Sequence, residues 1–369
     1  MTGYIGIGGT AKKVKNIYVG VGGVAKQVKK AYIGVGGVAK LWYTSKKELS
    51  YYGTTTLSQG RYYPAGVSFG NYALFAGGRR GSSSRSNVVD AFDATLNRST
   101  PTTLSASRQE IQGATAGSSY ALFAGGQGSS VSDVVDAYST ELVRSVATKL
   151  GTACHNHAGA SVGDYAIFAG GYGTSFRVTT VNIYNSSLVR TGDTFTARSS
   201  LAGASVGRYA LFSGGATASD KDTDLVTVID DELVFTTTRL SSNRIDHTGV
   251  SFGGYALFAG GRSFADGDTD AVDAFDTSLV RTSPTGLAAA RRGPAAAAIS
   301  DYALFAGDSN NRSDMVDAYD KSLVHSIPTA LTVGGRYLAG ASVGPYALFA
   351  GGQRTGTTYS DLIDIYQET

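Results

Sequence analysis

The chain has 369 residues, 42% of them hydrophobic, which is enough for a sizeable core. Its 49 glycines and frequent Ser and Thr favour short strands and turns over helices. A single cysteine, Cys154, excludes an internal disulfide framework and a multi-cysteine zinc site, and points to folding in a reducing cytoplasm. No stretch approaches the run of roughly 20 apolar residues that a membrane helix needs, and the start, Met-Thr-Gly-Tyr-Ile-Gly, predicts no secretory signal. The net charge of +3 is unevenly spread: residues 1–47 hold nine lysines and no acid, leaving 23 of the 32 basic residues against all 29 acids in the rest. Such asymmetry marks a basic arm with its own partner.

That arm carries a 14-residue repeat whose copies begin at Tyr4, Tyr18 and Tyr32. Alternation is strict, with Tyr18, Gly20 and Gly22 on one face and Val19 and Val21 on the other, and each Gly-Gly step is a turn signal. Residues 1–47 therefore read as short β-hairpins stacked as a small sheet, too glycine-rich to make a good core and suited to pairing with another chain. The absence of a following Gly-Lys-Ser/Thr argues against a phosphate-binding loop. The pattern Tyr-Ile-Gly-Val-Gly-Gly-Val-Ala-Lys at Tyr32–Lys40 resembles N-terminal segments of structural proteins of bacteriophages and prophages. That resemblance implies an anchor to the particle, for which Tyr4, Lys12, Lys13, Lys15, Tyr18, Lys26, Lys29, Lys30, Tyr32, Lys40 and Trp42 are the candidate contacts.

From residue 48 onward a longer repeat takes over. The phrase Tyr-Ala-Leu-Phe-Ala-Gly-Gly recurs, with small changes, from Tyr72, Tyr120, Tyr165, Tyr209, Tyr255, Tyr302 and Tyr346, at intervals of 48, 45, 44, 46, 47 and 44 residues. Each unit holds four short strands: a small-residue strand, the phrase itself, a Val-Asp-Ala-Tyr type strand and a Leu-Val-Arg-Ser type strand. In Val272-Asp273-Ala274-Phe275-Asp276 acids are interspersed among apolar residues, and the stretch reads as a half-buried strand. Ala-Leu-Phe-Ala is apolar on both faces, as befits a strand between neighbouring units. Four strands repeated seven times read as an all-β, seven-bladed β-propeller. The last unit ends before its fourth strand, while an orphan fourth strand starts at Leu49; residues 48–55 should complete the blade formed by 336–369 and leave no open edge.

Over residues 48–369 the diglycine after an apolar strand, the Val-Asp-Ala-Tyr-Asp strand and the Arg before the small-residue strand resemble kelch repeats. The Trp usual in their fourth strand is missing, and Trp42, the only tryptophan, lies outside the ring. The copper chemistry of one kelch-fold enzyme needs a Tyr/His/Cys set that cannot be assembled here, so no cofactor is expected.

Candidate chemistry is sparse. Cys154, His155 and His157 form the densest reactive cluster, but Cys154 occupies a position held by arginine in other units, and the cluster reads as drift in one blade. Sialidase-type Asp boxes and a glycosidase acid pair are absent. Asp220, Asp222 and Asp224 alternate, as do Asp266, Asp268 and Asp270; these are the weak candidates for Ca²⁺, yet neither loop has the Gly and distal Glu of an EF-hand, and solvated acidic loops are the preferred reading.

Recognition is the more promising function. Arg61, Arg108, Arg198, Arg244, Arg291 and Arg336 recur just before the first strands, on the face that also carries the variable loops between second and third strands. They are candidates for a ligand-binding face, or else braces between blades that pair with carbonyls or acids. Arg79, Arg80, Tyr172, Phe176, Phe264, Arg312 and Tyr359 in the loops could stack on sugars or anchor a protein. The ring is net acidic, so nucleic acid is not its expected ligand. The expected function is that of a non-enzymatic virion protein, made in the bacterial host cytoplasm. Its arm binds other virion proteins, and its propeller contacts a host surface glycan or protein, or a neighbouring subunit. The alternatives are an intracellular kelch-type interaction scaffold and a polysaccharide-acting enzyme.

Overall fold

The computed structural model describes residues 4–369 apart from 8–9, 14–16, 22–23, 29, 36–37 and 45–46; before residue 47 it describes only the side chains of 17–19, 25, 28 and 30–32. All regular structure among these residues is β, and no helix there is long and apolar enough to cross a membrane. The chain divides into two compact units, Met1–Glu48 with Thr369, and Leu49–Glu368.

In the first unit the 14-residue repeat forms hairpins. Tyr4–Ile7 pairs with Thr10–Lys13, Tyr18–Val21 with Val24–Gln27, and Lys30–Val35 with Val38–Thr44. Each hairpin is a two-stranded sheet of its own, not a layer of a common sheet. Lysines along the short strands disfavour edge-to-edge pairing between them. Among the candidate anchor residues, Tyr18, Lys30 and Tyr32 are exposed. Lys15 and Lys29 lie outside the described residues, as do the side chains of Tyr4, Lys12, Lys13, Lys26, Lys40 and Trp42.

The second unit is a seven-bladed β-propeller. Blades are numbered here by the recurring phrase, from Tyr72 in blade 1 to Tyr346 in blade 7. Blade 2 is typical: Gln112–Ala116, Tyr120–Ala124, Val135–Tyr138 and Arg144–Val146 form one antiparallel meander, innermost strand first. Blade 7 closes the ring as the spacing predicts. Leu49–Thr56 pairs antiparallel with Leu362–Glu368, from Leu362 opposite Thr56 to Glu368 opposite Leu49, with one bulge at Ile365/Tyr366. Glu48 and Thr369 continue the ladder by exchanging both backbone hydrogen bonds.

The core lies between blades. Within the recurring phrase, side chains alternate across the sheet. Ala73 and Phe75 of blade 1 pack with Leu348 and Ile363 of blade 7, whereas Leu74 and Ala76 pack with Ala121 and Phe123 of blade 2. Phe75, Phe123 and Phe212 are completely buried. Neighbouring blades are further tied by tyrosine hydroxyls: Tyr138, Tyr184, Tyr319 and Tyr366 donate to the carbonyls of Thr102, Thr148, Thr285 and Thr329 on the preceding blade.

The innermost strands approach so closely that side chains are excluded. A Cβ at Gly203 would lie 2.2 Å from the Gly159 carbonyl oxygen, and one at Gly66 2.2 Å from that of Gly340. Serine hydroxyls bridge the same strands, with Ser161 accepting from the Thr115 amide and Ser205 from the Ser161 amide.

The third strands correct one sequence reading. The first acid of each of these strands is not on a half-exposed face: Asp90, Asp136, Asp273, Asp317 and Asp364 are 0% exposed. Each is a buried hub. Asp90 accepts the Ser58 amide at 2.9 Å and the Arg61 guanidinium at 2.7 Å; Asp273 likewise takes the Ser241 amide and Arg244 at 2.6 Å. A buried carboxylate is tolerable only with such pairing.

Candidate functional site

The recurring arginines are where that pairing originates. Arg61, Arg108, Arg198, Arg244 and Arg291 are among the largest fully buried side chains. Arg61 also donates to the Phe75 carbonyl and Arg108 to those of Gly125 and Val134. Arg108 meets Asp136, and Arg291 meets Asp317 at 2.5 Å. Arg198 instead meets Thr227, and burial without a carboxylate pushes its guanidinium down to about 10. These five side chains therefore do not present a ligand-contacting face. They fasten the strand-joining linker to the second and third strands of its blade.

Blades 3 and 7 vary this device. In blade 3 Cys154 replaces the arginine and Asn182 replaces the acid, so cation and anion disappear together. Burial pushes the Cys154 thiol up to about 12, and burial holds His157 down to about 3; His155 pairs with Glu110 at 2.9 Å. In blade 7 the arginine position is Gly335, not Arg336. Arg354, from just after the diglycine, supplies the guanidinium to Asp364 at 2.8 Å. A Cβ at Gly335 would stand 2.9 Å from Arg354 Cδ, so the glycine makes room for it. Arg336 is one residue later, half-buried on the surface, its guanidinium 5.1 Å from the Tyr337 ring centre.

Immediately after the buried arginine position the chain rises to one face, and there the seven blades stop agreeing. One residue on, the chain bridges to the residue following the diglycine: Tyr62 with Arg79, Gln109 with Gln127, His155 with Tyr172, Ile245 with Arg262. The next residue is left-handed in every blade. Tyr63, Glu110, Asn156, Ser200, Asp246, Gly293 and Tyr337 all have φ between 51° and 57°. For a residue with a Cβ that conformation costs of order 1–2 kcal/mol, yet six of the seven are not glycine. Backbone bonds run from blade to blade around this ring: Ser200 N–H donates to Asn156 O, Asp246 to Ser200, Gly293 to Asp246 and Tyr63 to Tyr337. The backbone is thus identical around the ring while the side chains are all but unrelated.

The ring borders the mouth of the central channel, a cavity of about 620 Å³ that Arg292 and Arg336 also line. A second cavity of about 450 Å³ lies further along the innermost strands, between their glycines, alanines and serines.

The mouth is chemically lopsided. Around blades 7 and 1 it is aromatic and cationic. Tyr63 stacks on Tyr337 with ring centres 4.1 Å apart, and Tyr62 stacks on Tyr359 at 5.8 Å. Arg79 lies 5.8 Å from the Tyr62 centre. Burial, then the hydroxyl contact with Tyr337, pushes the Tyr63 phenol up. Around blades 3 to 6 the loops are acidic and clipped together: Arg177 pairs with Asp220 at 2.6 Å, Arg292 with Asp268 at 3.0 Å, and Asp222 accepts the Phe264 amide. Asp224 pairs with Arg239. Asp220, Asp222, Asp224 and Asp268 thus go to separate partners, and among the described residues no cluster of three metal-ligating groups forms.

Of the other loop candidates, Tyr172 packs near Arg177 and His155, Phe264 lies under Arg262, and Phe176 and Arg80 are exposed. Arg312 is exposed with φ 51°. Tyr62, Tyr63 and Tyr337 escaped the sequence reading, as did Glu110, Asp246 and Arg292. Their signal is divergence at one or two residues after the position that holds arginine in five of the blades. No protein-family model matches the chain, and no curated protein is significantly similar to it.

Proposed function

We propose that the protein is a non-enzymatic structural component of a bacteriophage particle, in which residues 1–47 attach the chain and the propeller binds a host surface molecule or a neighbouring subunit. The hairpin repeat supports the first half through its likeness to phage N-terminal segments, and the ring reads as a divergent kelch-like set. The single observation that carries the binding role is the left-handed ring at the channel mouth. Seven identical backbone positions hold Tyr, Glu, Asn, Ser, Asp, Gly and Tyr. A position that only maintained the fold would converge on glycine, as the innermost strands do; variation on a rigid, strained frame is what recognition uses. The reactive groups support a binder over an enzyme: Cys154 is buried with its thiol held protonated, and His157 is buried and neutral.

Deleting residues 1–47 and rescuing phage assembly with the truncated chain tests the anchor. Loss of incorporation with a folded ring is the expected outcome; normal incorporation overturns the role of the arm, and a gene without particle association overturns the phage reading.

A further inference from the structure

The lopsided mouth narrows the ligand. The loop of blade 1, Arg79–Asn87, holds three arginines and no acid, and that of blade 7, Gln353–Ser360, holds Arg354 and no acid. Arg354 is consumed inside the blade by Asp364. Among the described residues Arg79, Arg80, Arg85 and Arg336 have no carboxylate partner: Arg79 and Arg85 donate to loop carbonyls, and Arg336 donates through Nε to Gln353 at 2.7 Å. Elsewhere on this face Arg177 and Arg292 are neutralised by aspartates. Arg262 and Arg312, in the loops of blades 5 and 6, likewise have no ion pair, but among the described residues only the blade 7–blade 1 sector joins such guanidiniums to stacked tyrosines, at the edge of a cavity large enough for a few sugar rings.

From this coincidence we infer that the blade 7–blade 1 sector, centred on Arg336, Tyr337, Tyr63 and Tyr62, is a subsite for an acidic saccharide, a sugar bearing a carboxylate. This rests on the reading of the propeller as a binder and names its ligand class. A guanidinium with free N–H groups matches a carboxylate in a plane, and the two-point contact is stronger than a neutral hydrogen bond. Tyrosine offers a flat apolar face with a polar rim, suited to a sugar's C–H face and hydroxyls. The rest of the mouth presents the hydrogen-bonding side chains of Glu110, Asn156, Ser200 and Asp246, beside smaller apolar contributions from Ile111, Leu201 and Pro294. That lining satisfies hydroxyl donors, whereas a protein hot spot would need an apolar pocket. The acidic loops across the mouth would repel a uniformly anionic chain, so the carboxylate should bind at this one sector.

The test uses the full chain and calorimetric titration with galacturonate, a tetrasaccharide containing one glucuronate and a sialyl trisaccharide, each beside its methyl ester. The ester keeps the ring and removes the charge. At least one acid should bind, and its ester should bind roughly tenfold or more weaker. Arg336→Gln should reduce the acid's affinity to that of the ester and leave the ester unchanged; Arg336→Lys should restore part of it. Tyr337→Ala should weaken both. An unchanged melting temperature separates these effects from misfolding. Equal binding of acid and ester, or indifference to Arg336→Gln, overturns the subsite. If no saccharide binds but a poly-glutamate peptide does, and Arg336→Gln abolishes it, the saccharide assignment fails while the face remains a binding surface. If none binds, the subsite is overturned, and the binder reading then stands or falls on cell retention of the intact chain.

Discussion

Arg244 and Asp273 show what one buried pair does in this molecule. Both are fully buried, 2.6 Å apart, and Asp273 also holds a linker amide and Arg281. Removing one partner strands a charge out of water, so Arg244→Cys should cost roughly 3–5 kcal/mol of stability by denaturant titration. Blade 3 already shows the relaxed alternative, Cys154 with Asn182. The double change Arg244→Cys with Asp273→Asn should therefore recover most of the loss. Equal destabilisation by the single and double variants would refute the coupling. His157 gives a second residue-scale outcome. Its imidazole titrates near 6.5 when unfolded and near 3 in the fold, because burial disfavours the charged form. Between those values the unfolded chain binds more protons. The stability contributed by keeping His157 neutral is complete above pH 6.5 and is lost as pH falls toward 3. His157→Leu, which copies Leu201 of blade 4, should shrink the drop in melting temperature on acidification; His247, lowered for the same reason, leaves a residual slope.

At the scale of the element, closure depends on Leu49–Thr56. Without it the backbone edge of Leu362–Glu368 is unpaired and Tyr366 loses the packing of Leu49 and Tyr51. Deleting residues 1–56 should give a chain that aggregates or melts far lower than one lacking only residues 1–47, in a scattering-monitored melt. Identical behaviour would mean that the strand is dispensable. This element was legible in the sequence because copies of a repeat can be counted: Leu49, Leu57 and Arg61 keep the spacing of Leu96, Leu104 and Arg108. The site was much less legible. The same counting favours what recurs, so it pointed to the arginines, which are buried, and aligned Arg336 one residue out of place. Whether Asp273 is half-exposed or a buried hub depends on what crosses over it, and alternation along one strand cannot tell. Tyr62, Tyr63 and Tyr337 come together only through ring closure, from positions 274 residues apart at Tyr63 and Tyr337.

At the scale of the whole ring the two faces carry different information. The face of the third-to-fourth-strand turns repeats itself: Val143, Val189, Val234, Val280 and Val324 occupy one position, each more than half exposed. The face of the channel mouth varies at every blade. If the varied face is the recognition surface, the most direct measurement is retention of the intact chain on bacterial cells, the host that the proposed phage role calls for. The two proteins to compare are Tyr62→Ala with Tyr63→Ala and Tyr337→Ala, and, from the opposite face, Val143→Ser with Val189→Ser and Val234→Ser. Retention should be lost with the tyrosines and unchanged with the valines. Retention lost with the valines and kept with the tyrosines would contradict the account.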